Sequence, residues 1–262
     1  MALVAGVCFF LSTLFYAQKW GNGTWLAAAG AAILAGALGA RGLQAGRWPL
    51  TSEYEVASAF ALCTALVATI CGSTTSNALP VVQAATMGIA TLLVAYARII
   101  LPETQQALHP VPATLDSAWL PLHVSAAAMA FGALALSGSA GVSWLLHDRL
   151  PSNSPAPSGR ETEWLQYRAI AAGFPLLTLS IIFGMIWAQV AWGRFWDWNL
   201  KEVWTLMTWA IYALYWHVRR RPRWTGAPLA WLAVAGLCSA LFTFLAVDWF
   251  ARIVEMQSVG QF

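Results

Sequence analysis

The chain carries eight uninterrupted apolar runs, at Ala2–Ala17, Thr24–Ala40, Tyr54–Cys71, Leu79–Leu101, Trp119–Leu146, Trp164–Ala191, Val203–Val218 and Ala227–Phe250. A stretch of about 20 apolar residues satisfies its backbone internally as a helix and spans a hydrocarbon layer about 30 Å thick. With eight such runs, the 262 residues leave room for connections but not for a separate soluble domain. Charged residues make up only 10% of the chain, whereas a soluble domain has about 25%. That excludes a soluble enzyme, a disordered protein and a nucleic-acid binder. The expected fold is all-α, a polytopic integral membrane helix bundle of about eight transmembrane helices. It forms a single domain over residues 1–262, with a flexible cytoplasmic linker at about 150–160, where Leu150–Gly159 is rich in Pro and Ser.

No Lys or Arg precedes the first run and no small-residue cleavage site follows it near Phe15–Gln18, so it reads as a retained span rather than a signal peptide. The densest cationic cluster, Arg219-Arg220-Arg221-Pro222-Arg223, belongs on the cytoplasmic side by the positive-inside rule. Counting spans outward from it places both termini outside. Cys8, Cys63, Cys71 and Cys238 fall within apolar runs at unrelated spacings, the pattern of buried thiols rather than of a zinc site or redox pair.

Seven of the sixteen tryptophans lie between Trp187 and Trp216. The connection before the seventh run holds Trp192, Trp196, Trp198 and, just beyond it, Trp204, beside Arg194 and Lys201. This loop suits two roles. It can stack on a large planar ligand whose carboxylates pair with the cations, or it can anchor the headgroup region as an amphipathic segment. His123 and His217 sit in or at the rim of apolar runs, where an imidazole is costly unless it faces a cavity or ligand. Ala126, Ala127 and Ala130 share the face of His123, and Ala210 and Ala213 that of His217. Such a shelf admits a porphyrin, with the ring nitrogen on iron, or close helix packing. His123 belongs at the outer end of its helix and His217 at the cytoplasmic end, about a membrane thickness apart, so one ligand cannot bridge them. His109 and His147 read as ordinary interfacial histidines. Asp197, Glu202 and Asp248 read as helix-end or structural carboxylates, and no catalytic acid or base is assigned.

The run Trp192-Gly193-x-x-Trp196-x-Trp198-Asn199-x-x-Glu202, with Trp204, Trp209 and His217 beyond it, resembles the tryptophan-rich WWD segment of heme-handling proteins. Its nearest likeness is the CcsA (ResC) component of the system II cytochrome c synthase. Gly46-Arg47-Trp48-Pro49-Leu50-Thr51-Ser52-Glu53-Tyr54-Glu55 resembles that family's G-x-x-P-x-S-N-x-Y-E loop, and Trp119-Leu120-Pro121-Leu122-His123-Val124-Ser125 its W-L-x-x-H-V-S helix start. The resemblance implies delivery of non-covalently bound heme b (protoheme) across the membrane to the Cys-x-x-Cys-His motif of apocytochrome c. It implies that His123 is an external axial ligand to heme iron. It also implies that His217 is part of a transmembrane site completed by a histidine of a CcsB/ResB-like membrane partner. The location it implies is a bacterial inner membrane or a thylakoid membrane.

Two positions depart from the family pattern. Gln257 stands where a second external histidine is expected, and Asn199 replaces an acidic residue, with Asp197 nearby. The Gln257 departure leaves three readings. Iron is held by His123 and the thioether of Met256, or it is five-coordinate until the substrate's own histidine arrives. Alternatively, the chain is a HemX-like relative acting as a non-catalytic subunit or regulator in a membrane complex.

Overall fold

A computed structural model describes residues 1–18, 23–74, 79–146, 159–221 and 223–247. Regular structure among the described residues is helical throughout. The helices are α1 (Ala2–Ala17), α2 (Gly23–Ala45), α3 (Glu53–Thr74), α4 (Pro80–Ala95), α5 (Glu103–Gln106), α6 (Trp119–Leu146), α7 (Gly159–Trp192), α8 (Leu200–Arg219) and α9 (Ala227–Leu241). π-helical turns at Tyr96–Ile100 and Phe242–Ala246 extend α4 and α9, and a 3-10 turn covers Ala113–Leu115. His147, most of the Pro- and Ser-rich stretch, Asp248, Met256 and Gln257 lie outside the described residues.

The eight long helices fall on the eight apolar runs, and the chain is a polytopic membrane helix bundle. Six of them, α2, α3, α4 and α9 with their π turns, α6 and α7, are long and apolar enough to cross a membrane. Helix α1 has 16 residues, about 24 Å at 1.5 Å per residue. Helix α8 has 20 residues but carries Lys201, Glu202, His217 and Arg219. At the other extreme α7 runs for 34 residues, about 51 Å, so its polar first turns project beyond the apolar layer. Proline in the first turn of α4 and of α9 fits there because the first N–H groups of a helix have no partner to lose.

Helix α6 is the axis of the bundle: 67% of its apolar window is buried, against 22% for α7. Its glycines explain how neighbours come so close. A Cβ on Gly132 would stand 2.8 Å from the Cys63 carbonyl of α3, and one on Gly141 would stand 2.8 Å from the Ala230 carbonyl of α9. Small residues at such crossings let backbones pack where lipid offers no hydrophobic drive for helix association. One apolar cluster joins α1–α4 to Phe131 and Ala135 of α6, and another gathers Leu134, Ile170, Tyr212, Tyr215 and Leu229 around α6–α9.

Several polar side chains inside the bundle join one helix to the next, although the hydroxyls of Ser137, Ser139, Ser143 and Tyr212 are buried without a hydrogen-bond partner among the described residues. Gln166, buried in α7, donates to the Leu229 carbonyl at 3.0 Å and to the Tyr215 hydroxyl at 3.3 Å, fastening α7 to α9 and α8. Arg219 ends α8 against Glu163 at 3.4 Å and lies over the Tyr167 ring at 4.2 Å. Thr64, Thr86 and Thr178 return their hydroxyls to the carbonyl four residues back, which satisfies them without a partner helix.

Gly132→Val forces a side chain into the α3 backbone and is expected to destabilise the protein by on the order of 3 kcal/mol. Thermal unfolding in detergent checks this, and an unchanged midpoint would refute the close α3–α6 crossing.

Candidate functional site

At the end of the bundle where α6 begins and α7 stops, a cavity of about 490 Å³ opens between α3, α6, α7, α8 and the π turn of α9. That lies within the roughly 300–1,000 Å³ of cofactor and ligand pockets. Among the sequence candidates, His123, Trp192, Trp196 and Lys201 line it. So do Ala127 and Ala130, the shelf one and two turns beyond the histidine, while Ala126 is buried elsewhere.

His123 is held by α7. Its Nδ1 lies 2.8 Å from the backbone oxygen of Ser180, and the Ser180 hydroxyl stands 3.3 Å from both Nδ1 and the His123 carbonyl. A carbonyl only accepts, so in the neutral ring Nδ1 donates and Nε2 keeps its lone pair. Gly184 makes the approach possible, since a Cβ there would sit 2.8 Å from Nδ1. The outer face of the imidazole runs nearly parallel to Trp187, with centroids 6.3 Å apart and 13° between planes. Trp187 meets Trp192 edge-on at 4.6 Å and donates through Nε1 to the Thr114 carbonyl at 3.0 Å.

Arg194, Trp198, Trp204 and His217 fall outside this wall, whereas Asn199 and Glu202 line it. Arg194 is exposed and paired with Asp197 at 2.8 Å. Trp198 is 70% exposed and adopts a left-handed φ of 56°, a conformation uncommon for a bulky residue. Trp204 packs on Phe242 at 4.3 Å. His217 is exposed on the outer face of α8, 17 residues past Leu200, about 26 Å along the helix. Arg221 donates to its Nε2 at 3.2 Å. Thus one end of the bundle holds His123 and the other His217. Asn199 serves the backbone: it caps α8, accepting from the Glu202 N–H at 2.9 Å, while the Glu202 carboxylate accepts from the Asp197 N–H at 2.8 Å. This is a variant of the capping box, so the carboxylate of Glu202 braces the tryptophan loop against α8.

Several wall residues had no sequence signal of their own. Trp187 counted only as the first of seven clustered tryptophans, and Ser180 and Gly184 carried no assignment. Their i, i+4 spacing on α7, with Trp187 at i+7, puts them on one stripe, which becomes meaningful only with His123 opposite. Thr51, Phe60, Thr243 and Phe244 also line the cavity. The π turn places Phe244 against Phe60, stacked at 4.6 Å and 13°, in keeping with the frequent presence of π turns at functional sites.

These features define a polytopic membrane protein that presents a tautomer-fixed histidine inside an apolar, tryptophan-walled cavity. Residues 51–255 match the family model described as cytochrome C assembly protein, and the chain belongs to that family. Among curated relatives, a protein named cytochrome c biogenesis protein CcsA from Prochlorococcus marinus (strain MIT 9303) is 32% identical over 257 residues, covering 86% of this chain and 80% of its own. Proteins of the same name are 34% identical over 79% of this chain and 75% of their own length in Synechococcus sp. (strain RCC307). In Synechococcus sp. (strain JA-2-3B'a(2-13)) the identity is 30% over 100% of this chain and 95% of the relative.

In protein labelled with 15N at histidine, His123 is expected to show a protonated Nδ1 and an unprotonated Nε2. Gly184→Val should abolish that pattern by driving the ring off the Ser180 carbonyl. Identical imidazole resonances in the two proteins would contradict the geometry.

Proposed function

We propose that this protein takes part in cytochrome c biogenesis by binding heme b and presenting it to apocytochrome c, as one component of a system II synthase. The observation that carries the reading is the His123 site. The imidazole offers Nε2 as an iron ligand while its Nδ1 is engaged by Ser180, the arrangement that orients metal-bound histidines. The cavity chemistry fits a porphyrin on three further counts. Ala127 and Ala130 leave flat space along α6, Trp187, Trp192 and Trp196 offer aromatic walls, and Lys201 supplies a cation for carboxylates. Heme, when bound, supplies the vinyl groups that the substrate's thiols add to and the iron that is kept in its redox state. The protein's share is to hold iron through His123, to seat the ring between indoles and to keep both in register with an arriving peptide. Arg194, exposed beside the cavity mouth and paired with Asp197, is a second candidate cation for the ring's carboxylates.

The membrane setting and family imply an apocytochrome c substrate with a Cys-x-x-Cys-His motif. His217, facing outward from α8 at the opposite end, suits a second, shared heme site with a CcsB/ResB-like partner. In this reading both termini and the tryptophan loop lie outside, in a bacterial inner membrane or a thylakoid. Met256 and Gln257 are the residues to test for the second iron contact. The chain has no histidine after His217, and that keeps a second reading alive, a HemX-like subunit or regulator that uses the scaffold for protein contacts.

Expression with a CcsB-like partner in a strain lacking its own CcsA-type component is expected to restore heme-stained c-type cytochromes. His123→Ala should lower their yield about ten-fold or more. Full restoration by the His123→Ala variant would overturn the assignment, and failure of the unaltered chain would favour the regulatory reading.

A further inference from the structure

The tryptophan-walled cavity shares Leu115 and Thr51 with a smaller cleft, and Thr51 is bonded to an ion cluster centred on Glu55, outside the cavity lining. Glu55, fully buried at the start of α3, accepts from Arg41 Nε at 2.7 Å and Arg47 Nη1 at 3.0 Å. It also accepts from the backbone of Thr51 at 2.9 Å and of Ser52 at 3.1 Å. Arg41 has both NH2 groups left over. Nη1 donates to the Gln106 carbonyl at 2.8 Å and Nη2 to the Ala107 carbonyl at 3.0 Å. Arg98 holds the Gln106 side chain at 2.9 Å, and that side chain donates to the Leu101 carbonyl at 2.8 Å.

The segment so anchored runs from α5 to α6 and reaches the cavity at Leu115. Eight residues beyond Ala107, Leu115 faces the cavity, and Thr114 accepts the indole N–H of Trp187 at 3.0 Å. Trp187 in turn lies parallel to the His123 ring. The segment is therefore pinned at two points, by Arg41 near its start and by Trp187 near its end.

We propose that Arg41, fixed by Glu55, is a positioning residue for the His123 site: it holds residues 106–115 in place so that Trp187 keeps its register against the imidazole. A guanidinium is suited to this because its planar fork serves a carboxylate and two carbonyls at once, which an ammonium on a flexible stem does not. The affinity readout rests on the heme reading of the His123 site.

Arg41→Lys separates charge from geometry, since lysine still neutralises Glu55 but cannot span to both carbonyls. Hydrogen exchange of the ligand-free protein in detergent is expected to quicken across residues 106–118 and in α7 around Trp187, with the Gln166 region of α7–α9 unchanged. Hemin titration at the Soret band should show a dissociation constant raised about ten-fold, the low end of the effect of outer-shell residues on metal sites, with a shifted reduction midpoint. Loosening confined to residues 101–110, or unaltered hemin affinity and midpoint, would overturn the proposal. If the unaltered protein takes up no hemin, the heme reading fails while the exchange pattern around Trp187 still decides this inference. Should Arg41→Lys not fold, Trp187→Phe removes the indole N–H at Thr114 and is expected to weaken hemin binding similarly. No change there would equally sink the idea.

Discussion

Everything in this molecule follows from the absence of water along most of its length. In hydrocarbon an unpaired polar group costs several kcal/mol, so the backbone must be helical and a buried polar side chain gains by finding a partner. The threonines meet this with their own helix, Gln166 with a neighbouring carbonyl, and Glu55 with two guanidiniums. Breaking a buried ion pair by removing one partner costs about 3–5 kcal/mol, so the Glu55 cluster constrains the loop it fastens far more firmly than the loop's own composition could.

The same constraint makes the functional end rigid. His123 is placed by a carbonyl in mid-helix, by a missing Cβ at Gly184 and by a parallel indole, three contacts from α7 alone. The tryptophan loop is braced by the Asn199–Glu202 cap, and the left-handed Trp198 carries strain that this bracing sustains. The cavity is thus assembled from helix ends together with connections braced against them, which suits the holding of a planar cofactor in one orientation for a second molecule to meet.

Much of the architecture was legible in the sequence because one signal, apolar run length, decides it: α6 begins and ends where its run does. The run of α8 was legible too, yet Lys201, Glu202 and Arg219 leave it less apolar than a spanning helix. Proximity was less legible. Charge alone made Arg194 a carboxylate partner, and its pairing with Asp197, three residues on, was not visible in the sequence. Tryptophan counting could not separate Trp196, which lines the cavity, from Trp198, which is exposed and itself takes the left-handed conformation. Trp187, Ser180 and Gly184 became visible only when α7 was laid against His123, a contact 57 residues apart in the chain. Membership in the cytochrome c assembly family, reached first from three separated motifs, is carried by the match over residues 51–255.

The central claim is that this chain binds heme iron through His123 Nε2. A heme count on the purified protein, paired with the magnetic circular dichroism of its iron ligands, tests it most directly. The account predicts a bound heme with a histidine signature that disappears in His123→Ala and persists in His217→Ala when the chain is prepared without a partner. Heme that remains with unchanged ligation in His123→Ala, or no bound heme under any preparation, would contradict it.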